Sequence, residues 1–443
     1  MQEERSGSAI ARPIVSSCRV RTLCAVLLAW CGGIAGQAFA GDLTVDGFVA
    51  LRGSHVRSQP SWRAGGFGRL NLGANTADDE TVDALGQLQL AFDWQPSPFF
   101  GAYVHAVARA EPDRSNGREV GVVEAFLHAA AVVGSSGVLD FQLGHFFLPT
   151  SRENVEVLWS SPYTLTYSAL NSWIGEEMRL TGLLGEYRVL VGGRDELGFG
   201  ASVFGGNDSS GALLAWRGWS MGNRLTAYGE LVPLPPLASL EPGGTFGRQR
   251  DDGSRPFGDD LDGRAGWAGF LRWRRPDRAV LQLTRYDNRG DRRLYNGEYA
   301  WRTELDLLGV ELQSRHGLVL AGEYLRGSTG MGSLARRRYV QADLEAAYLL
   351  ASWRRGAWRT TLRYDTFETV DVDRTLLAEN ADNNDEQGEA WTLAIFWEPR
   401  EALRLGLELL DLDGDRPAAA EAGVDPDAGA TSVQLELRYY FDW

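Results

Sequence analysis

The chain has 443 residues, with 44 basic and 59 acidic residues and a net charge of −15 at pH 7, and none of its basic residues is lysine. This length allows two or three soluble domains or one barrel of roughly 16 to 18 strands. An acidic chain is a poor partner for nucleic acid. After residue 40 no run approaches the ~20 apolar residues of a membrane-spanning helix.

Residues 1–40 have the features of an export signal peptide. A basic segment, residues 12–21, precedes a short apolar run, residues 23–34, and the sequence Ala-Phe-Ala at 38–40 is a cleavage site of small residues. The segment contains all three cysteines, four of the 44 basic residues and two of the 59 acidic residues. The mature chain, 41–443, therefore has a net charge of 40 minus 57, or −17, and no thiol for a disulfide or a metal.

From residue 43 onward, apolar and polar residues alternate in segments that are separated by turn residues. Such alternation predicts strands with one apolar and one polar face. Roughly 19 segments qualify, but an even number would place both termini at the same end, and 43–52 competes with 64–73 to be the first strand. We predict about 18 strands, with 16 as the alternative. The clearest candidates are 83–94, 99–109, 137–147, 179–191, 223–232, 264–274, 317–326, 357–367, 389–397 and 402–411.

Short and long connections alternate between these segments. The short turns are centred at 95–98, 134–137, 192–194, 221–223, 275–277, 315–317, 354–356 and 398–401. The longer connections, which are polar and rich in Gly and Asp, include 233–263, 288–302, 327–338, 369–388 and 412–430. Short turns on one side and long loops on the other are typical of an outer-membrane β-barrel, and a soluble β-protein has no reason to alternate in this way.

The connection at 149–178 differs from the others because it is rich in Trp, Tyr and Leu. A long loop with apolar residues is usually packed and functional, so we predict that it folds inward and narrows the lumen. The alternative is an external plug or a trimer contact. Four aromatic residues would attach the loop to the barrel wall: Trp159, Tyr163, Tyr167 and Trp173. Six charged residues would face the channel: Arg152, Glu153, Glu156, Glu176, Glu177 and Arg179.

The same region resembles a known family. Residues 144–153 read GHFFLPTSRE, and residues 179–182 after the loop read RLTG. This arrangement resembles the strand–loop–strand of the phosphate-selective porin (porin O and P) group, which follows a G-x-F-x-x-P-x-S pattern and then R-x-x-G. The resemblance covers about 40 residues and implies a porin. Phosphate as the solute does not follow, because that family's anion pathway is rich in Lys and Arg and this chain is acidic and has no Lys.

Charged residues on the polar faces of the strands are predicted to line the lumen. Such side chains can select ions by charge, or they can solvate the lumen and brace the wall as ion pairs. The candidates are Arg109, Glu124, Asp140, Glu186, Arg188, Arg272, Arg274, Arg363, Arg404, Glu408, Glu436 and Arg438. Three histidines, at 105, 128 and 145, lie on successive strands, but alternation separates their faces, so no metal site is predicted.

The last segment, VQLELRYYFDW at 433–443, carries apolar residues at every second position and ends on an aromatic residue. Bacterial outer-membrane barrels end in this way, and the segment would be read by the barrel-assembly machinery. We therefore predict an all-β, transmembrane antiparallel barrel in the outer membrane of a Gram-negative bacterium, in contact with lipid and lipopolysaccharide and possibly a homotrimer.

The predicted function is that of a porin, in which small hydrophilic or charged solutes diffuse passively through a water-filled lumen. The alternative is a barrel occluded by its loops that acts in export, adhesion or surface assembly. No Ser/His/Asp arrangement falls on one lumen face, so an enzyme is not predicted, and no cofactor, metal or nucleic-acid partner is implied.

Overall fold

The computed structural model describes residues 41–73, 80–110, 119–249, 253–258, 260–373, 383–427 and 429–442. The predicted signal peptide, residues 1–40, lies outside the described residues and stays a prediction. No helix among the described residues is both long enough and apolar enough to cross a membrane.

Sixteen antiparallel strands form one closed barrel, in which the last strand pairs with the first. The first half comprises β1 (Asp42–Arg57), β2 (Glu80–Ser97), β3 (Phe100–Ala110), β4 (Val120–Val133), β5 (Gly137–Phe146), β6 (Leu180–Val191), β7 (Asp195–Gly205), β8 (Gly266–Arg275) and β9 (Ala279–Asp287). The second half comprises β12 (Arg302–Gln313), β13 (Leu318–Ser333), β14 (Arg338–Arg355), β15 (Trp358–Asp371), β16 (Glu386–Arg400), β17 (Leu403–Asp415) and β18 (Ala430–Asp442).

The loops add a small hairpin and short helices. The hairpin consists of β10 (Leu294–Tyr295) and β11 (Glu298–Tyr299). The helices are α1 (Ala169–Glu177), α2 (Ala212–Trp216) and α3 (Ala418–Glu421), and single 3-10 turns lie at Trp62–Ala64, Val157–Trp159 and Leu334–Arg336.

The main prediction of about 18 strands was wrong, and the alternative of 16 is the number that forms. Two predicted strands, 64–73 and 223–232, are loop segments, and the predicted turn at 221–223 lies in the same loop as the second of them. Residues 224–227 are all buried, and Tyr228 is exposed. The alternation of apolar and polar residues in this segment therefore does not correspond to two faces of a strand.

The other seven predicted short turns are hairpin turns at one end of the barrel, the end at which β1 begins and β18 ends. At the opposite end, here called the outer mouth, one predicted loop was wrong. Residues 327–338 are mostly strand, because β13 reaches Ser333 and only residues 334–337 form the connection. Gly332 has φ 79 and lies against the backbone of Arg338, so a Cβ atom would clash there.

The outside of the barrel is an apolar band, as the alternation predicts. In β18 the side chain of Leu435 is 60% exposed, whereas that of the next residue, Glu436, is 1% exposed. Trp391, Leu393 and Trp397 form the same outward stripe on β16. Because every barrel strand has a partner on both sides, no backbone edge remains unpaired, and such a surface can face lipid.

Candidate functional site: the interior of the barrel

Two loops fill much of the space inside the barrel. The first, residues 147–179 between β5 and β6, is called the inner loop. The second, residues 206–265 between β7 and β8, is called the lid loop. Helix α1 of the inner loop starts at Ser168, whose Oγ accepts a hydrogen bond from Asn171 N, and all its residues are buried. The structure therefore places the predicted loop 149–178 inside the barrel.

Arg363, on the inner face of β15, attaches the inner loop to the wall. Its guanidinium donates hydrogen bonds to Asp365 at 2.7 Å, to the backbone oxygen of Thr166 at 2.7 Å and to Glu153 of the loop. Glu153 in turn accepts hydrogen bonds from Ser168 N and Asn171 Nδ2. All three charged side chains are buried, and their charges compensate each other inside the barrel.

Backbone amides of the inner loop are also held by carboxylates of the wall. Glu408 on β17 accepts hydrogen bonds from Leu165 N at 2.5 Å and Thr166 N at 3.0 Å. Glu323 on β13 accepts one from Asn171 Nδ2 at 2.9 Å and another from Arg152 N. The loop is thus fixed on the side of the barrel that runs from β13 to β18.

The four aromatic residues predicted to attach the loop have different contacts. Tyr163 packs against Ala321 and Tyr348 of the wall. The ring of Trp159 contacts Phe147 and Tyr167, which belong to the loop itself. The ring of Trp173 packs edge-on against the ring of Trp219 in the lid loop, with 6.1 Å between the ring centroids. Tyr163 therefore packs against the wall, and the other three aromatic residues belong to a larger cluster that joins loop residues to wall residues such as Val107, Leu344 and Ala346.

A second apolar cluster, here called the lid core, closes the outer mouth. Trp216 of α2 packs edge-on against Trp301, the residue before β12, with 4.8 Å between the ring centroids. The cluster also includes Trp62 of the first loop, Phe246 of the lid loop and Ala418 of α3. Side chains from connections all round the barrel thus meet in one hydrophobic core.

The two interior loops are joined through α1 and α2. Glu176 pairs with Arg217 at 2.6 Å. Glu177 accepts hydrogen bonds from Trp173 Nε1 at 2.6 Å and from Leu213 N at 3.2 Å. Burial raises the pKa of Glu177 to about 7, although these hydrogen bonds and Arg217 oppose the rise. The junction therefore contains a carboxyl group that titrates near neutral pH.

Arg179 anchors the root of the inner loop. Its guanidinium lies over the rings of Phe147 at 4.9 Å and Phe257 at 4.1 Å, and it donates to the backbone oxygen of Val123 at 3.1 Å. It does not face open space, since it is 1% exposed. Of the six charged residues predicted to face the channel, Glu156 retains the most exposed side chain, at 36%.

The predicted lumen-wall residues fall into two groups. Seven lie on inward faces but are buried: Arg109, Glu124, Arg363, Arg404, Glu408, Glu436 and Arg438. The others lie nearer the short turns and keep some contact with solvent: Asp140, Glu186, Arg188, Arg272 and Arg274. In this second group Arg188 pairs with Asp140 at 2.6 Å, and Arg272 pairs with Glu186.

Arginine is in excess where β17, β18 and β1 meet. Glu436 pairs with Arg52 at 2.6 Å, with Arg438 at 2.9 Å and more loosely with Arg404 at 3.7 Å. Three guanidinium groups around one carboxylate leave a local charge of about +2 at neutral pH. Glu156 is the other carboxylate near this group, at 3.9 Å from Arg404.

A small polar cavity of about 20 Å³ lies beside this arginine group, between the wall and the middle of the lid loop. Arg52 and Gln87 line it from β1 and β2, and Asn71, Asn223 and Arg224 line it from the loops. It has room for roughly one water molecule, and polar side chains of the wall and of the lid loop meet there.

The three histidines on successive strands have separate surroundings. His105 is buried and contacts Gln89 at 2.8 Å, while His128 pairs with Asp93 at 2.9 Å. His145 faces outward and is covered by Tyr228 and Phe257. No metal site can include all three in this arrangement.

The sequence analysis did not identify the lid loop or its Arg217. It also did not include Arg52 of β1 and Glu323 of β13 among the candidate residues. A signal was present, because Leu213, Leu214, Trp216 and Trp219 give residues 206–265 the same apolar content that marked 149–178. The assignment of a hairpin around 221–223 concealed it, since it divided one long loop into two shorter ones.

A closed antiparallel barrel with an apolar outer band has the fold of an outer-membrane β-barrel, located in the outer membrane of a Gram-negative bacterium. Solved structures of similar fold include the outer membrane channel DcaP of Acinetobacter baumannii, with a TM-score of 0.52, 12% identity and coverage of 91% of this chain and 99% of that chain. Another is an anion-selective porin from Comamonas acidovorans, with a TM-score of 0.49, 13% identity and coverage of 90% and 100%.

At these identities the likeness establishes the fold. No protein-family profile matches the chain, and a search of curated proteins found no match.

Proposed function

We propose that the protein is an outer-membrane diffusion channel for small hydrophilic solutes, with a passage that the inner loop and the lid loop make narrow. The polar cavity between β1, β2 and residues 223–224 carries this proposal. Amide and guanidinium groups line it, and these groups can replace part of the hydration of a passing solute. The inner loop is fixed to β15 and β17 through Arg363 and Glu408, and the cavity lies beside it, against β1, β2 and β18.

The charge at the route favours anions. Arg52, Arg404 and Arg438 outnumber the single carboxylate of Glu436 that they share. In a narrow passage with protein walls, fixed charges act over short distances and with little screening. The nearby arginines should therefore outweigh the net negative charge of the whole chain, because that charge is spread over the barrel and is screened over longer distances.

A second candidate function is favoured by the lid core. Trp216 and Trp301 are fully buried at the outer mouth and belong to a hydrophobic cluster that could keep the barrel closed. A barrel that stays closed would act in export, adhesion or surface assembly rather than in uptake.

The resemblance to the phosphate-selective porin group stays a resemblance in sequence. Gly144 and Gly182 face each other across β5 and β6, where neighbouring backbone leaves no space for a side chain. Arg179 packs between two phenylalanine rings. These motif residues hold the root of the inner loop, so they do not by themselves indicate phosphate. Binding of lipopolysaccharide and of the barrel-assembly machinery and a homotrimeric state stay predictions from the sequence.

The experiment that tests the proposal is single-channel recording of refolded 41–443 in a planar bilayer under a salt gradient. Stable conductance steps with a reversal potential of the sign expected for anions would support the open, anion-preferring channel. Steps with cation preference would retain the channel and reject the role of the arginine group. A folded barrel that never conducts would favour the closed barrel instead.

A further inference from the structure

A basic surface stands out on the tallest hairpin of the barrel. The 3-10 turn between β13 and β14 is followed by Arg337 and Arg338, and with Arg336 these make three consecutive exposed arginines. The chain as a whole is acidic. Three adjacent positive charges at an exposed tip therefore contrast with the rest of the molecule.

Two neighbouring loops add arginines to this surface. Arg292 donates a hydrogen bond to the hydroxyl of Tyr339 at 3.0 Å and lies over its ring, next to the turn. Burial raises the pKa of Tyr299, and the positive charges of Arg338, Arg248 and Arg336 oppose that rise, which shows that all three lie near one ring. Arg248, Arg336 and Arg338 have no salt bridge to any residue that the structure describes. The five arginines are called the arginine tip.

The height of the arginine tip restricts its partner. On β14 the outward apolar band ends near Ala347, and Arg338 is nine positions further from the membrane. At ~3.3 Å per residue and a strand tilt of ~40°, the tip stands about 20–25 Å above the apolar band. That distance is beyond the lipid headgroups but within the layer of sugars outside the membrane.

Between the band and the tip, β14 to β17 carry exposed carboxylates, whereas on β9, β12 and β13 the carboxylates of Glu304 and Asp306 lie beside Arg285, Arg302 and Arg326. Glu345 faces Glu368 across β14 and β15, and Glu389 faces Asp413 across β16 and β17, and all four are exposed. Phosphate groups at the level of these carboxylates would be repelled unless divalent cations lay between them. The arginine tip attracts phosphate directly, through charge-assisted hydrogen bonds of guanidinium groups.

We infer that the arginine tip is a docking surface for the phosphorylated sugar core of lipopolysaccharide in the surrounding outer leaflet. The charges are complementary, and the tip has the height of the sugars rather than of the lipid. Contact with neighbouring lipopolysaccharide would hold the β13–β14 hairpin in the glycan layer, and it requires no divalent cation. This inference is independent of whether the barrel conducts.

Binding of delipidated lipopolysaccharide core oligosaccharide to detergent-solubilised 41–443 tests the inference. Calorimetry would be performed with EDTA, with phosphatase-treated oligosaccharide as a comparison. The test variant combines Arg336→Ala, Arg337→Ala and Arg338→Ala. The control variant removes the same charge from exposed arginines at the other end of the barrel, by Arg315→Ala, Arg355→Ala and Arg400→Ala. Circular dichroism and resistance to protease would show that both variants are folded.

The expected result is binding in EDTA that weakens as salt is added, and a loss of about 100-fold in the test variant, since each arginine near an anionic surface contributes a factor of roughly five. The control variant should bind within twofold of the unaltered protein. Equal binding by the test variant, loss of binding in EDTA, or unchanged binding after removal of phosphate would each overturn the inference. Equally tight binding of heparin would show a general polyanion surface and would also overturn it.

Discussion

Replacement of Arg363 by alanine should release the inner loop from the wall. Arg363 is 0% exposed and donates hydrogen bonds to Asp365, to the backbone of Thr166 and to Glu153. Its removal would leave two buried carboxylates without their cation, and breaking a buried network in this way costs about 3–5 kcal/mol. That cost falls on the packing of the loop, because the strand pairs of β15 do not depend on the side chain.

Two measurements would follow the release. Single-channel conductance of Arg363→Ala should rise and become unsteady, and protease should cut within 150–178 at concentrations that leave the original protein intact. The conductance and the protease resistance of Arg363→Lys should lie between those of Arg363→Ala and those of the original protein. Lysine keeps the charge but cannot make all the hydrogen bonds of a guanidinium. Arg188→Ala is the matched control, since its pair with Asp140 is about one-third exposed and is worth at most about 1 kcal/mol.

The result that would refute this reasoning is specific. If Arg363→Ala folds and shows the original conductance and the original protease resistance, the charged network does not hold the loop. The apolar contacts of the loop would then be sufficient on their own.

Three further changes probe the loop junction, the lid core and the outer surface. The raised pKa of Glu177 means that the folded loops bind its proton more tightly than an unfolded chain does, so its contribution is complete below pH ~4.5 and is lost as the pH rises through about 7. Protease protection of the loops should therefore fall by a factor of roughly ten, or about 1.4 kcal/mol, between pH 6 and 8.5, and Glu177→Gln should remove this pH dependence. Trp216→Ala should weaken the lid core by about 3–5 kcal/mol and increase conductance. The control, Trp267→Ala on the outer face, should leave conductance unchanged. Equal conductance in both variants would show that the lid core is not a barrier. Leu435→Arg should lower the free energy of unfolding of the barrel in lipid vesicles by about 2–4 kcal/mol, measured by urea titration. If this decrease is smaller than the decrease caused by a loop substitution, Leu435 does not face lipid.

Most of the barrel could be predicted from the sequence because period-two alternation is a local property. Outward Leu435 and inward Glu436 follow from it directly, as do seven of the short turns. The strand number could not be predicted in the same way. Whether residues 223–232 join a sheet depends on a partner strand far away in the chain, and the local pattern does not reveal that partner.

The interior shows the same limit. The composition of 149–178 was enough to predict an inward loop, because apolar residues need a place to be buried and the outside of the barrel offers none. The sequence did not show which wall residues would hold it. Arg363 and Glu408 were predicted to face water, but they are covered by the loop that they bind. Burial of a wall residue depends on the path of a loop that begins 200 positions away.

The lid core also determines an order of assembly. It contains Trp62 from the first loop and Ala418 from the last, so its two ends meet only when β18 has paired with β1. Trp216 and Trp301, which lie in the connections on either side of β8 and β9, can come into contact before the barrel closes. The contacts that join the first loop to the last form only with the final strand pair. The lid core is therefore complete only after the wall has closed, and a barrel inserted with its last strand unpaired would have a less stable mouth than the finished one.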